Sequence, residues 1–176
     1  LGEVADHGRQ HLLEIIPGEK TDDATLATAF ATGKGLKKTT ILVKDSASFI
    51  TNRLLGRFMG EFSRIVDEGT PVQVADRAVA GLAPMPPFVL MGLVGPANAL
   101  HNSQTLVRAF GDRFYASPSL EAMVAARKPG YYNVVDGVQV PDPEVLAMQV
   151  TPEHPVELTV PQVRERVLSA IADEVA

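Results

Sequence analysis

The chain has 176 residues, 45% of them apolar and 21% charged, with a net charge of −5, enough for one full hydrophobic core with a smaller appendage. With 16 basic side chains against 21 acidic ones, it lacks the cationic excess that a phosphate backbone or an anionic bilayer demands, so neither nucleic acid nor a membrane surface is expected as partner. Every apolar run is broken by Gly, Pro or a charge before the ~20 residues a membrane span needs, and the opening LGEVADHGRQ is not a signal peptide. Zero cysteines exclude disulfides, thiol nucleophiles and cysteine-ligated metals and fit a reducing, cytoplasmic setting. The histidines at 7, 11, 101 and 154 show no metal-ligand spacing, so no metal is expected.

In chain order, HLLEIIPG predicts a strand over 11–16, closed by Pro17-Gly18. TDDATLATAFATGKG follows as a helix capped by Thr21 or Asp22, with Leu26, Ala29, Phe30 and Gly33 on one face. Thr39 to Val43 form the body of a second strand, which makes a parallel βαβ unit. Two parallel strands do not complete a sheet, and the remainder is expected before Leu1. From Ser46 the period changes to 3.6, and Phe49 or Ile50, Leu54, Phe58, Phe62, Ile65 and Val66 mark a long one-sided helix that Gly69 ends. Thr70 is the expected N-cap of the next helix, with Pro71 in its first turn and Gln73 returning a hydrogen bond; that helix ends near Gly81. Two more helices meet at Gly95-Pro96, and another runs from Ser117-Pro118 to about Ala126. Residues 128 to about 160, rich in Pro, Gly and Asp, read as a turn-filled connection. Thr159 and Gln162 cap a final helix. Asn52-Arg53-Leu54-Leu55 laid over Glu165-Arg166-Val167-Leu168 gives a weak internal repeat, which two amphipathic helices in phase would also produce. A start at Leu1 and an end inside the helical pattern VLSAIADEVA point to a piece of a longer protein, or to a mature domain with a ragged end.

The residues contain no complete catalytic constellation. Glu14, a carboxylate within LLEII, either alternates to solvent or is aimed into a site where it orients a base. Asn52, an amide near the start of an apolar helix, either satisfies local hydrogen bonds or steers a ligand carbonyl. Lys44-Asp45 reads as the charged end of a strand, and His101 as a packed or surface histidine. Neither Gly33/Gly35 nor Gly92/Gly95 makes a GxGxxG turn after a strand, so no dinucleotide fingerprint is present.

HLLEIIPGEKTDDATLATAFATGKGLKKTTILVKDSASFITNRLL resembles the segment of L-3-hydroxyacyl-CoA dehydrogenases that runs from the end of the NAD-binding domain into the helical domain. VDEGTPVQVADRAVAGLAPMPPFVLMGLVGPANALHN and ARKPGYYNV resemble its continuation, so the likeness covers about residues 11 to 132. PDPEVLAM and the last helix resemble the link to a second helical repeat in the alpha subunits of multifunctional fatty acid oxidation proteins. The resemblance implies a mainly α fold, a 3-hydroxyacyl-CoA dehydrogenase C-terminal-like domain (6-phosphogluconate dehydrogenase C-terminal-like) preceded by a βαβ remnant of a Rossmann domain. Its divisions would be 1–44 as NAD-domain tail, 45–132 as helical domain, 133–160 as linker and 161–176 as the start of a second repeat.

The same resemblance implies NAD-dependent oxidation of 3-hydroxyacyl-CoA to 3-ketoacyl-CoA in the whole parent, with this chain alone inactive and holding no NAD. Glu14 matches the family glutamate that orients a catalytic histidine, and Asn52 the asparagine of the FIxNR motif that places substrate. The histidine itself, of a His-Phe-Phe-Asn-Pro motif, would fall near residue 2, where nothing matches. Ser46-Ala47-Ser48 replaces the family's Pro-Gly before Phe, Met85-Pro86-Pro87 its Met-Gly-Pro, and Gly92 and Ala97 stand where acidic residues are usual. Implied partners are acyl-CoA, a second copy through the helical domain, and a thiolase subunit. The other reading is a helical dimerisation or docking module of a β-oxidation complex without its own catalysis, presenting Met59, Phe62, Phe88, Val89 and Met91.

Overall fold

A computed structural model describes residues 11–176. The chain divides into two compact units, one ending at Ile50 and the other Thr51–Ala176.

The first unit is the expected βαβ motif. Strand β1 (Leu12–Ile15) pairs in parallel with β2 (Thr39–Leu42), Glu14 lying opposite Ile41, and helix α1 (Asp23–Gly35) crosses between them. Asp22 is the N-cap, its carboxylate accepting the Thr25 amide at 2.7 Å; Thr25, first through its side chain and then through this amide, holds the Asp22 carboxyl below its ordinary pKa. Leu12, Leu13 and Leu42 are exposed.

The second unit is helical. Helix α2 (Thr51–Asp67) is its spine, followed by α3 (Val72–Arg77), α4 (Pro87–Val94), α5 (Pro96–Phe110) and α6 (Pro118–Ala125). A hairpin of β3 (Tyr132–Val135) and β4 (Val138–Pro141), a short α7 (Pro143–Ala147) and α8 (Val160–Val175) complete it. Phe62, Ile65 and Val66 of α2 pack with Phe88 and Met91 of α4, Met123 of α6 and Val163 and Val167 of α8 in one core. Three rings run through it: Phe62 meets Phe88 edge-on at 6.5 Å between centroids, and Phe88 meets Tyr131 at 4.6 Å. Each such side chain contributes about 1.5–3 kcal/mol by leaving water. Phe62, Phe88 and Met91, expected above on a docking face, are thus core residues.

Four other expectations are corrected. Helix α2 begins at Thr51 rather than Ser46, because Ser48 (φ 61°) and Phe49 (φ 52°) take left-handed conformations that no helix can include. Thr70 does not cap α3, whose N-cap is Pro71 without a side-chain bond, and the helix ends at Arg77 rather than near Gly81. The Thr70 hydroxyl instead donates to the Val156 carbonyl and accepts the Leu158 amide, both at 3.0 Å, tying down the approach to α8. The supposedly turn-filled 128–160 holds the β3–β4 hairpin, whose Asp136-Gly137 turn has φ of 51° and 79°, the two positive values a tight primed turn requires. It also holds α7, capped by Asp142. The carboxyl of Asp142 is held below its ordinary range chiefly by Lys128, which also pairs with Glu144.

Helix α8 has the expected capping box of Thr159 and Gln162. It packs along α2 in the same unit, where Arg166 donates through Nε to buried Glu61 at 2.7 Å and through its other nitrogens to both oxygens of Glu68. Arg57 holds the second oxygen of Glu61 at 2.8 Å. These charges raise the already high pKa of Arg166 further. At the far end of α8, the buried Glu174 carboxylate takes Arg53 and, at 3.0 Å, Arg113. Between α3 and α4, Asp76 accepts the Phe88 amide at 3.0 Å and the Tyr132 hydroxyl; its burial raises the carboxyl pKa against the pull of both bonds. Arg166→Ala, which leaves Glu61 with one cation and Glu68 with none of these bonds, is expected to lower unfolding stability by about 2–3 kcal/mol. The exposed neighbour Glu165→Ala should stay within about 0.5 kcal/mol, both read from urea midpoints at constant slope.

Candidate functional site

The two candidate residues lie one in each unit. Glu14 is half-buried on β1, and its Oε1 accepts the Ile50 backbone amide at 3.1 Å. What aims that amide is the turn of Ser46 to Ile50: the Phe49 amide closes on the Ser46 carbonyl at 3.1 Å, and the two positive φ values at Ser48 and Phe49 swing the chain back toward the strand. Glu14 therefore does not simply alternate to solvent; it anchors the segment that leads into α2. A left-handed residue other than glycine costs about 1–2 kcal/mol, which accounts physically for a glycine where this chain has Ser48.

Asn52 opens the first turn of α2, exposed, and its carbonyl accepts the Asn102 side-chain amide at 3.3 Å. From there a cavity of about 230 Å³ lies within the helical unit, lined by α2, α4, α5 and the start of α6. On α2 its wall is Asn52, Gly56, Met59, Gly60 and Ser63, which fall on one face at spacings of 4, 7, 8 and 11. A Cβ built on Gly56 would stand 2.2 Å from Leu106 Cδ1 and 2.9 Å from Asn102 Nδ2, so only glycine allows α5 this close. The opposite wall is supplied by Leu90, Met91, Ala99, Ser103 and Leu120, with Tyr115 and Ser117 beside them.

The cavity offers no carboxylate, imidazole, amine or guanidine for proton transfer: no Asp, Glu, His, Lys or Arg is among its lining residues. Tyr115, the one titratable group there, donates its hydroxyl to Asp67 at 2.9 Å, and burial together with the Asp67 charge pushes its pKa far upward, so it stays a neutral donor. Of these residues the sequence singled out Asn52 as a site residue and Met59 and Met91 only for a docking face; for the rest, the repeated small side chains at Gly56, Gly60 and Ser63 were the available signal. His101 is exposed on α5 and away from this lining, His11 is exposed before β1, and the expectation for His7 lies outside the described residues.

The described residues do not suit a dinucleotide either. In a βαβ unit the pyrophosphate sits on free amides of a glycine-rich turn at the helix N-terminus. Here the β1–α1 turn has a single glycine: Gly18 N–H donates to Thr21 Oγ1 and Thr21 N–H to the Gly18 carbonyl, each at 3.0 Å, and Asp22 places its own carboxylate at the helix start. Nor do the described residues contain a cluster of three potential metal ligands.

Against known families, residues 49–138 match the model of the 3-hydroxyacyl-CoA dehydrogenase C-terminal domain, and residues 8–46 that of the 3-hydroxyacyl-CoA dehydrogenase NAD-binding domain. The chain belongs to the 3-hydroxyacyl-CoA dehydrogenase family. Its similarity to a fatty acid oxidation complex subunit alpha from Idiomarina loihiensis is 35% identity over 123 residues, covering 69% of this chain and 17% of the relative. A counterpart from Acinetobacter baumannii is 32% identical over 127 residues, 70% of this chain and 18% of the relative. The chain thus spans less than a fifth of these relatives' length. Among solved structures, (S)-3-hydroxybutyryl-CoA dehydrogenase from Ralstonia eutropha shares 30% identity with a TM-score of 0.60, over 66% of this chain and 43% of that one. A 3-hydroxybutyryl-CoA dehydrogenase from Escherichia coli, 22% identical with a TM-score of 0.62 over 66% of this chain and 26% of that one, shares the fold. The mainly helical architecture after a βαβ remnant is the one expected for this family. No described helix is long and apolar enough to cross a membrane.

Ser48→Gly removes the left-handed strain at the turn that feeds Glu14 its amide, partly offset by the extra freedom of glycine in the unfolded chain. It should stabilise the first unit by about 0.5–1 kcal/mol, visible as slower hydrogen exchange at the Ile50 amide; unchanged or faster exchange would show that the turn is unstrained.

Proposed function

We propose that this chain is one component of an NAD-dependent L-3-hydroxyacyl-CoA dehydrogenase of fatty acid β-oxidation, a longer protein that oxidises 3-hydroxyacyl-CoA to 3-ketoacyl-CoA. The observation that carries the reading is the ordered pair of family matches, nucleotide domain then helical domain, meeting at the turn between β2 and Asn52's helix. In this reading Glu14 is a positioning carboxylate, held in place by the Ile50 amide, and Asn52 presents its amide to the thioester substrate from the first turn of α2. NAD, the hydride acceptor of the reaction, is held elsewhere in the longer protein, since the Gly18 and Thr21 amides of the β1–α1 turn bond within the turn and Asp22 places a carboxylate at the helix start. The setting is the cytoplasm, and residues 1–44, 45–132, 133–160 and 161–176 are read as NAD-domain tail, helical domain, linker and opening of a second repeat.

By itself the purified chain is expected to give no NAD-dependent oxidation of 3-hydroxybutyryl-CoA above a blank, and turnover there would overturn that expectation. In the full-length parent, Asn52→Ala should lower kcat/KM by about ten- to a hundredfold, the worth of one hydrogen bond to a developing charge; an unchanged value would remove Asn52 from the reaction.

A second reading, association within a β-oxidation complex, is favoured by one apolar groove. Leu54, Phe58, Leu82, Leu168 and Ile171 line it between α2, the turn after α3, and α8, and Leu82 and Leu168 are more than half exposed. The partner in this reading is a second copy of the chain, with a thiolase subunit as the further candidate in the assembled complex. Sedimentation equilibrium should then show a dimer that Leu168→Glu dissociates; a strict monomer at high concentration would argue against it.

A further inference from the structure

We propose that Glu174 of α8 is a positioning residue for the reaction: by holding Arg53 it fixes the first turn of α2, and with it the direction in which the neighbouring Asn52 presents its amide. This rests on the reading of Asn52 as the group that places the thioester, and it brings a residue from the far end of the chain into that task.

The first turn of a helix is its weakest part, because its N–H groups have no partners within the helix. Side-chain caps and acidic residues usually steady it. Helix α2 has no acidic residue in its first turn, and Ser48 and Phe49 just before it are left-handed. Distant elements supply the support instead. Arg53 Nε donates to Glu174 Oε1, and the Arg53 guanidinium carbon lies over the Phe110 ring, 4.1 Å from its centroid. Phe110 in turn packs on Phe114 at 5.5 Å between centroids. One residue earlier, the Asn52 carbonyl takes the Asn102 side-chain amide at 3.3 Å. Supports from α5 and α8 thus meet on consecutive residues, Asn52 and Arg53.

Stability alone does not account for Glu174. Its side chain is 1% exposed and that of Arg53 is 27% exposed; a carboxylate taken so far out of water costs about what its partners return, and an apolar residue of similar size often holds two helices as well. What the ion pair supplies beyond adhesion is direction. Arg113, in the turn after α5, brings a second positive charge to Glu174 Oε2 at 3.0 Å without hydrogen-bond alignment, and donates its aligned bond to the Asp173 carbonyl at 3.1 Å. Arg113 therefore neutralises the carboxylate, and the directed bond goes to Arg53. The overlay of α8 on α2 that sets Arg166 on Arg53 and Glu174 on Glu61 is met in space, since Arg166 takes Glu61 as Arg53 takes Glu174. These two chemically similar pairs stand eight residues apart on α2, about 12 Å at 1.5 Å per residue, and the Arg53 pair is the one beside Asn52. A substrate-placing group displaced by about 1 Å can cost a hundredfold in rate, so loosening this pair has a consequence that loosening the other has not.

Two measurements test this. In the 176-residue chain, the amides of Leu55 and Gly56 close the first turn of α2. Glu174→Ala should speed their hydrogen exchange about tenfold and leave Ile65 and Val66 within about twofold. In the full-length parent, Glu174→Ala should lower kcat/KM for 3-hydroxybutyryl-CoA about fivefold with KM for NAD unchanged. The same change should cost less than about twofold in an Asn52→Ala background, because two residues that act through one group do not add. Arg166→Ala, measured at a temperature where it stays folded, should leave kcat/KM within about twofold of the parent. If Glu174→Ala does not fold, Arg53→Lys carries the same expectations, since lysine keeps the charge but has neither the Nε donor nor a planar group to lay over Phe110. Equal acceleration of exchange at Leu55 and Ile65, equal loss of kcat/KM in both backgrounds, no loss at all, or a similar loss from Arg166→Ala would each overturn the proposal. A neutral Glu174→Ala in a parent that Asn52→Ala impairs removes the role of Glu174 alone. A parent that oxidises no 3-hydroxyacyl-CoA removes the dehydrogenase reading, and the exchange at Leu55 and Gly56 still decides whether Glu174 holds the turn.

Discussion

The helical unit depends on how α2 is held on its charged side. Arg166 reaches from α8 to Glu61 and Glu68 at once, and Arg57 takes the oxygen of Glu61 that remains. A carboxylate as buried as Glu61 is tolerable only when both oxygens are met by cations or donors, because the cost of taking it out of water exceeds what one imperfect partner returns. Once that requirement is satisfied, α8 lies along α2, and Val163 and Val167 enter the core beside Phe62 and Ile65. The ion pairs set the register, and the apolar contacts supply most of the free energy.

Fixing one side of α2 frees the other to be underpacked. On the face turned to α5 and α6, Gly56 lets Leu106 approach so closely that a Cβ would clash, and a cavity remains beside that contact, along Gly60 and Ser63. A core normally fills to crystal-like density, and an empty volume of this size would cost several kcal/mol if it were a packing defect. The defect is confined to one face and opens at Asn52, while the opposite face, with Phe62, Ile65 and Val66, is closed tightly. Substitutions on the hollow face can alter its volume without loosening the clamp of α8.

Much of this was legible in the sequence. The βαβ order, the Asp22 cap, the Gly95-Pro96 break and the Thr159 and Gln162 box all follow from local chemistry that neighbours within four residues complete, and the structure has them. What could not be read depends on distant partners. Thr70 looks like an N-cap by every local rule, yet its hydroxyl is spent on Val156 and Leu158, some 86 residues on. The helix pattern appears to start at Ser46, but left-handed Ser48 and Phe49 turn the chain so that Glu14 can take the Ile50 amide. The hairpin is a different matter: Asp136-Gly137 between valine-rich strands is a local signal, obscured by the prolines on both sides of it. Glu14 and Asn52 were visible as odd polar residues in apolar elements, whereas the cavity, a property of missing side chains, left only small residues at helical spacing.

The chemistry of the cavity also bears on how a dehydrogenase can divide its work. Oxidation of an alcohol takes hydride from the carbinol carbon and a proton from the hydroxyl; the proton needs a base matched to the working pH, and such groups are shifted by burial or neighbouring charge. The shifted groups in the helical unit have other duties: Asp76 joins α3 to α4 and β3, Asp142 and Lys128 secure α7, and Tyr115 is driven further from neutrality rather than toward it. None of them could exchange a proton without giving up a structural bond. The groups in the unit whose proton affinity is shifted are thus committed to structural bonds rather than left open for proton transfer.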